Sequence, residues 1–252
     1  MLNKKDLEKF KSVLGFNLGQ VEKDYLQHLV LLFFSNYITT EVIFKGGTAL
    51  QKAYALNRFS EDLDFTLVKK IDLDIIIKKV NADLNNFGFI TESEQIKSKT
   101  SKNYRLKIKG PLFEGTEKTI ATLRIEVSLR NDLLFEADLK ENTPIYTDIR
   151  PYSIFVMNPK EILAEKIRAI FQREKARDVY DLAFLLKKGV KIDLRLIEKK
   201  LGFFNLKFNK NIFFKRIDAV KNIWKKELTQ YVNNVPDFIQ IKKEIKIYFE
   251  QI

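Results

Sequence analysis

The stretch Phe44-Lys45-Gly46-Gly47-Thr48-Ala49-Leu50, followed after a short gap by Arg58-Phe59-Ser60-Glu61-Asp62-Leu63-Asp64-Phe65, governs the reading of the whole chain. Glu41-Val42-Ile43-Phe44 has the composition of a short strand, and it runs into two glycines and a helix expected from Ala49 to about Asn57. Glycines at the end of a strand let backbone N–H groups approach a polyphosphate without interference from Cβ, and Thr48 is expected to open a helix whose N-terminus favours anions. Asp62-Leu63-Asp64-Phe65-Thr66-Leu67 alternates polar and apolar residues, the period of a half-buried strand. Two aspartates two apart on a strand emerge on one face, where they can chelate Mg2+. Each feature is common alone, since a Gly-Gly pair is usually a turn and a D-x-D is often a solvent-facing pair. Their order and proximity make them a candidate site for metal-assisted chemistry on a phosphate.

Working outward, residues 3–14 and 20–37 show helical spacing, the second with Leu26, Leu29, Val30, Phe33 and Phe34 on its apolar side. Residues 73–87 read as a helix, and 104–108 and 120–129 alternate as strands. Between 131 and 157 the pattern loosens, with Asn142-Thr143-Pro144 and Arg150-Pro151 as turn or linker signals. Asn158-Pro159-Lys160-Glu161 then announces a helix, with Asn158 as N-cap, Pro159 at the first helical position and Glu161 three residues after the cap. Beyond it only helical periods follow, with an aromatic-rich stretch at Phe203, Phe204, Phe208, Phe213 and Phe214. The expected architecture is α+β, a mixed sheet with flanking helices over residues 1–155 and a basic helical bundle over 156–252.

Composition removes much chemistry. The 252 residues contain no cysteine and one histidine, His28, so thiolate nucleophiles, Cys-ligated zinc and imidazole clusters are excluded. What remains is carboxylate, Lys/Arg and backbone chemistry. The absence of cysteine suits a reducing cytoplasm, no secretory signal is expected at the start, and the longest early apolar run, 29–34, is too short for a membrane span. His28 is expected to be structural. Lys+Arg number 45 and Asp+Glu 33, a net charge of +12. Residues 1–155 are nearly balanced at +2, whereas 156–252 carry 22 basic against 12 acidic residues, a net of +10. A domain-sized basic block is the footprint of a phosphate-backbone binder, although a solvated face of lysines would look the same.

The segment resembles the first motif of nucleotidyltransferases of the DNA polymerase β superfamily, in which Gly-Gly or Gly-Ser precedes a D-x-D flanked by hydrophobic residues. More narrowly, Gly46-Gly47-Thr48-Ala49-Leu50 with Arg58-Phe59-Ser60-Glu61-Asp62-Leu63-Asp64-Phe65 resembles the AbiEii toxin family. The 14 residues between Gly47 and Asp62 favour this narrower family over aminoglycoside or poly(A)-type enzymes. The resemblance implies a polymerase β-like fold and transfer of a nucleoside monophosphate from an NTP to an acceptor, with Mg2+ or Mn2+ as cofactor. It implies Asp62 and Asp64 as metal ligands, with a third carboxylate on a neighbouring strand. Glu126, on the face opposite Ile125 and Val127, is the natural candidate, and Asp132, Glu136 and Asp138 compete for the role.

Gly46, Gly47, Thr48, Arg58 and Ser60 fall in the NTP-binding set that the resemblance implies. Glu161-Ile162-Leu163-Ala164-Glu165-Lys166 resembles the family's second motif, whose lysine lies near the nucleotide phosphates. Lys166 also borders an apolar stripe, so its ammonium either snorkels to water or points at something anionic. Arg177-Asp178-Val179-Tyr180-Asp181-Leu182 resembles the next motif, which sends Arg177 and an aspartate toward the cleft. A structural account, with Asp178 capping a helix and Asp181 in its first turn, is equally open. Members of the family are toxins of toxin–antitoxin and phage-defence systems, and relatives extend the 3′ end of tRNA. The expected partners are therefore an NTP, an RNA acceptor and a cognate antitoxin. A catalytically silent RNA-binding module and nucleotidylation of a protein remain the alternatives.

Overall fold

The computed structural model describes residues 1–250, which divide into two compact units. The first comprises residues 1–55, 59–131 and 137–156, and the second residues 56–58, 132–136 and 157–252. The expected helix over 3–14 is two short ones, α1 (Lys4–Glu8) and α2 (Lys11–Leu14), the second ended by Gly15 at φ +67°. The long helix α3 (Leu18–Ser35) begins at an Asn17 capping box with Gln20. Then come β1 (Val42–Lys45), α4 (Gly46–Tyr54), β2 (Leu63–Leu67), α5 (Leu73–Asn86), β3 (Ile90–Ile96), β4 (Ser101–Lys109), β5 (Ala121–Ser128), β6 (Asp138–Asn142) and β7 (Tyr152–Val156).

The seven strands form one mixed sheet in the order β3-β4-β5-β2-β1-β7-β6. β2 pairs antiparallel with β1 and parallel with β5, so it lies inside the sheet. β1 also pairs parallel with β7, through Phe44 and Val156. Side chains alternate across a strand, and Leu63, Phe65, Leu106, Ile108, Leu123, Ile125 and Val127 turn into a core shared with α3 and α5. The residues between them, Asp64, Asn103, Arg105, Arg124 and Glu126, are left on the other face.

Two expectations change here. Residues 131–157, which read as a loosening linker, contain β6 and β7, and these complete one end of the sheet. β3 is also unmarked in the sequence, because Thr91 is the only buried residue of this edge strand and no hydrophobic period is needed there.

The second unit is built from α6 (Pro159–Gln172), α7 (Ala176–Lys187), α8 (Leu194–Gly202), α9 (Lys210–Ala219), α10 (Trp224–Leu228) and α11 (Phe238–Glu250). Phe171, Phe208, Phe213 and Phe249 stack into one aromatic cluster, with Phe213 and Phe249 centroids 4.7 Å apart. Asn158 caps α6 as expected, accepting from Lys160 N–H at 3.0 Å, but Glu161 forms no capping box. Its carboxylate accepts instead from the N–H groups of Leu134 and Phe135, at 2.8 and 2.9 Å, and pairs with the fully buried Lys200 at 2.7 Å. Among the described residues, no helix is long and apolar enough to cross a membrane.

His28 lies in a buried polar network of the first unit. Asp24 accepts from Gln51 (2.8 Å), Tyr146 (2.9 Å) and Lys52, while His28 Nδ1 meets the Tyr152 hydroxyl at 2.9 Å. Burial pushes the His28 imidazole down to about 3, with Lys52 adding to the effect and Asp24 opposing it. An unfolded histidine titrates near ~6.5, so below that pH the unfolded chain takes up a proton that the fold refuses. Stability should therefore be complete above pH ~6.5 and fall by up to about 1.4 kcal/mol per pH unit on acidification. Denaturant unfolding from pH 6.5 to 5.3 should show this slope in the wild type and a flatter one in His28→Gln. Equal slopes would remove the assignment.

Candidate active site

Lys45, the last residue of β1, is itself the N-cap of α4, so the helix begins at Gly46, three residues earlier than the sequence suggests. Gly46, Gly47 and Thr48 are its first turn rather than a loop leading to it. Unpaired N–H groups and the helix dipole make such a turn attractive to phosphate. Gly46 has φ +77°, and a Cβ there would overlap the Asp64 carboxylate. The glycine is thus required both by left-handed backbone and by the close approach of a carboxylate. Thr48 is fully buried, and its hydroxyl donates to the Asp62 carbonyl, tying the helix to the entry of β2.

The loop before β2 is held from two helices. Gln51 Oε1 on α4 accepts from the Ser60 N–H at 2.9 Å, and Gln27 Nε2 on α3 donates to the carbonyls of Ser60 and Glu61 at 2.8 and 2.9 Å. Sequence reading missed both glutamines; only their bonds to a loop, from a buried Gln27 and a half-buried Gln51, mark them. On β2, Leu63 and Phe65 enter the core and Asp64 faces the other way. The parallel register sets Asp64 opposite Glu126 on β5. Asp62, Asp64 and Glu126 line one cavity of 330 Å³, together with Asn103, Arg105 and Arg124. Of the competing carboxylates, Asp132 and Glu136 belong to the second unit, and Asp138 on edge strand β6 accepts from Tyr54 at 3.3 Å. Among the described residues no three acidic or imidazole groups converge as a ready-made metal cluster. The donors nevertheless suit Mg2+, which is commonly held by one or two carboxylates with substrate phosphates completing its oxygen shell.

The second unit gathers four more of the expected residues into a buried ion network. Arg58 makes two bonds to Asp181, at 2.6 and 2.7 Å, and is 2 % exposed. Lys166 Nζ lies 2.7 Å from Asp181 and 3.1 Å from Asp178. Arg173, which the motif reading did not select, grips Asp178 at 2.7 and 3.1 Å. Asp178 and Asp181 stand inside α7, whose N-cap is Lys175, so Asp178 is not a cap. Burial alone would raise both carboxyls, yet Lys166 and Arg173 hold Asp178, and Arg58 and Lys166 hold Asp181, below the usual carboxylate range. Arg177 stays outside this network, its guanidinium 5.7 Å from the Tyr231 ring centroid.

Comparisons place the chain among known proteins. The family model described as "Nucleotidyl transferase AbiEii toxin, Type IV TA system" matches residues 25–250. MenT4, a nucleotidyltransferase toxin from Mycobacterium tuberculosis, superposes with a TM-score of 0.69 at 19% identity, covering 99% of this chain and 89% of its own. A putative nucleotidyltransferase from Helicobacter pylori gives 0.62 at 24%, covering 91% and 94%, and JHP933 from the same organism gives 0.59 at 23%, covering 92% and 90%. At these identities the likeness is one of fold. No protein of curated function matches significantly.

Two substitutions test the construction. Asp181→Asn strips Arg58 and Lys166 of their shared charge while leaving them buried, which should cost about 3–5 kcal/mol. In a chain of this size that lowers the melting temperature by on the order of 10 °C. Melting like the wild type would mean the network is not desolvated as described. Gly46→Ala forces a side chain into positive φ and against Asp64, at about 1–2 kcal/mol of backbone strain. Its activity should fall more than its stability, and retention of full activity would show that Asp64 need not sit where it does.

Proposed function

Given that the chain belongs to the AbiEii family of nucleotidyltransferase toxins of type IV toxin–antitoxin systems, we propose that it moves a nucleoside monophosphate from an NTP to the 3′ end of tRNA or another RNA, using Mg2+. Mn2+ is the expected substitute. In this reading the chain acts in the cytoplasm, is held in check by a cognate antitoxin and serves phage defence. The observation that carries the proposal is the shared cavity of Asp62, Asp64 and Glu126. It adjoins a helix start where Gly46 makes room for the Asp64 carboxylate.

The first turn of α4, at Gly46, Gly47 and Thr48, binds the triphosphate through backbone N–H groups. Asp62, Asp64 and Glu126 would hold the divalent ions, which when bound would neutralise charge developing on the phosphates. Glu126 accepts the proton of the attacking hydroxyl as the new O–P bond forms and the bond to pyrophosphate breaks. Ser60 fixes the loop that delivers Asp62, a role supported by the bonds its backbone makes to Gln51 and Gln27. Lys166 is the residue that the family resemblance assigns to the nucleotide phosphates, and within its own unit Asp178 and Asp181 set its position while Arg58 anchors Asp181. Arg177 supports α7 through Tyr231. Residues 1–155 form the nucleotidyltransferase domain, and the net +10 of residues 156–252 docks the RNA backbone.

Incubation with bulk tRNA, Mg2+ and each α-labelled NTP in turn is the test. Wild type should label RNA, a chelator should abolish labelling, and Asp62→Ala or Asp64→Ala should reduce it at least about 100-fold, as loss of electrostatic stabilisation of this kind does. Label appearing on protein instead would select nucleotidylation of a protein. RNA binding without any labelling would select a silent RNA-binding module.

A further inference from the structure

A strip of cationic and amide side chains runs along the open face of β4 and β5, beginning at the candidate metal site and leading away from it. Asn103 stands opposite Glu126, Arg105 opposite Arg124, and Lys107 opposite Thr122, with Lys109 one step further on β4. Alternation puts all of them on one face, because Tyr104, Leu106, Ile108, Leu123 and Ile125 are buried on the other. Arg105, Lys107 and Lys109 recur every second residue, about 6.6 Å apart for a strand rise of ~3.3 Å. That step is close to the separation of successive phosphates in a stretched single strand. A second cavity of 470 Å³ lies along the strip, lined by Lys107, Lys109, Phe113 and Thr122 with Glu92 and Glu117. Lys109 Nζ is 5.2 Å from the Phe113 ring centroid, a pairing of cation and flat aromatic suited to a base and its phosphate.

Resting on the transferase reading above, we infer that this strip is the acceptor subsite and that it recognises the 3′ end of a single-stranded polyribonucleotide. In-line displacement sets the attacking hydroxyl opposite the departing pyrophosphate. The phosphate-binding turn of α4 follows β1, on one side of β2, whereas β5 and β4 lie on the other. The acceptor therefore enters over β5 and β4, and a side lined by Arg124 and Arg105 asks for an acceptor that carries negative charge next to its reactive hydroxyl. A terminal phosphodiester one nucleotide back meets that demand, whereas a cationic small molecule or a serine side chain does not. Arg124 is exposed and forms no ion pair among the described residues, while Glu94 holds Arg105 in place at 2.5 Å. Glu92 and Glu94, both on the edge strand β3, bound the strip on its outer side and confine a polyanion to β4 and β5. Among the described residues Asn103 Oδ1 is buried with no hydrogen-bond partner, beside the carboxylate proposed to deprotonate the acceptor. It is placed to accept from a ribose 2′-hydroxyl, the group that distinguishes RNA from DNA.

The test uses the full chain and a short single-stranded oligoribonucleotide with a free 3′-hydroxyl, alongside the same oligonucleotide ending in a 2′-deoxy sugar. Fluorescence anisotropy without NTP should show Lys107→Gln/Lys109→Gln binding about 10-fold more weakly. The slope of log affinity against log salt should be shallower by about 1.4, two single-strand phosphate contacts at ~0.7 each. In extension assays Arg124→Gln should raise the acceptor KM with the NTP KM unchanged, and Asn103→Leu should erase the preference for the ribose-ended oligonucleotide. Wild-type oligonucleotide binding and salt slope in the lysine variant, or an Arg124→Gln effect confined to the NTP KM, would overturn the inference. Thermal melting of each variant separates these outcomes from misfolding. Failure of the wild type to extend any RNA would overturn the reading of transfer to RNA, and the anisotropy series reports on the strip without it.

Discussion

The candidate site depends on one constraint, the alternation of side chains along an interior strand. β2 is paired on both edges, so Leu63 and Phe65 must enter the core, and Asp64 is thereby committed to the opposite face. The parallel register with β5 then brings Glu126 level with Asp64, and the antiparallel register with β4 adds Asn103 and Arg105 to the same face. A slip of one residue in either pairing would turn carboxylates into the core and expose Leu63 or Ile125. The apolar burial that stabilises the sheet therefore also fixes the geometry of the polar site.

Buried charge is arranged in three separate places. In the first unit Asp24 links α3 to α4 through Lys52 and Gln51, and the same two helices hold the loop before Asp62 through Gln27 and Gln51. In the second unit, Arg58, Lys166 and Arg173 surround Asp178 and Asp181, and Lys200 is enclosed by Glu161, Glu165 and the Asp132 carbonyl. Such networks contribute little net stability relative to well-packed apolar residues, because desolvation offsets most of the Coulombic gain. What they supply is a unique arrangement, since each ion left without its partner would be expensive.

Much of this was legible in the sequence. The Gly46-Gly47 pair, the strand that carries Asp64, the Asn158-Pro159 helix start and the helical character of everything after it all follow from local chemistry, and local chemistry is what a sequence displays; Asp62, expected on that same strand, instead ends the loop before it. The missed elements share a physical cause. β3 and β6 are edge strands with few buried residues, so neither needs the apolar period that reveals a strand. β7 is short, and it belongs to the sheet through the parallel contact of Val156 with Phe44, a pairing separated by more than a hundred residues. Arg173, Gln27 and Gln51 were invisible for a related reason: nothing in their neighbours says which buried carboxylate or carbonyl they will meet.

Residue order alone was enough to establish the family-like motif, the exclusion of thiol and imidazole chemistry, and the concentration of positive charge after residue 155. Which of several carboxylates stands beside Asp64 was a matter of strand register, a long-range quantity that singles out Glu126 on β5 and leaves Asp138 at the far edge of the sheet. Packing likewise turned Lys166 from a lysine at the edge of an apolar stripe into the shared partner of Asp178 and Asp181. Motif spacing is written in covalent connectivity, whereas the partner of a buried charge is chosen by whichever residues the fold brings within a few ångströms.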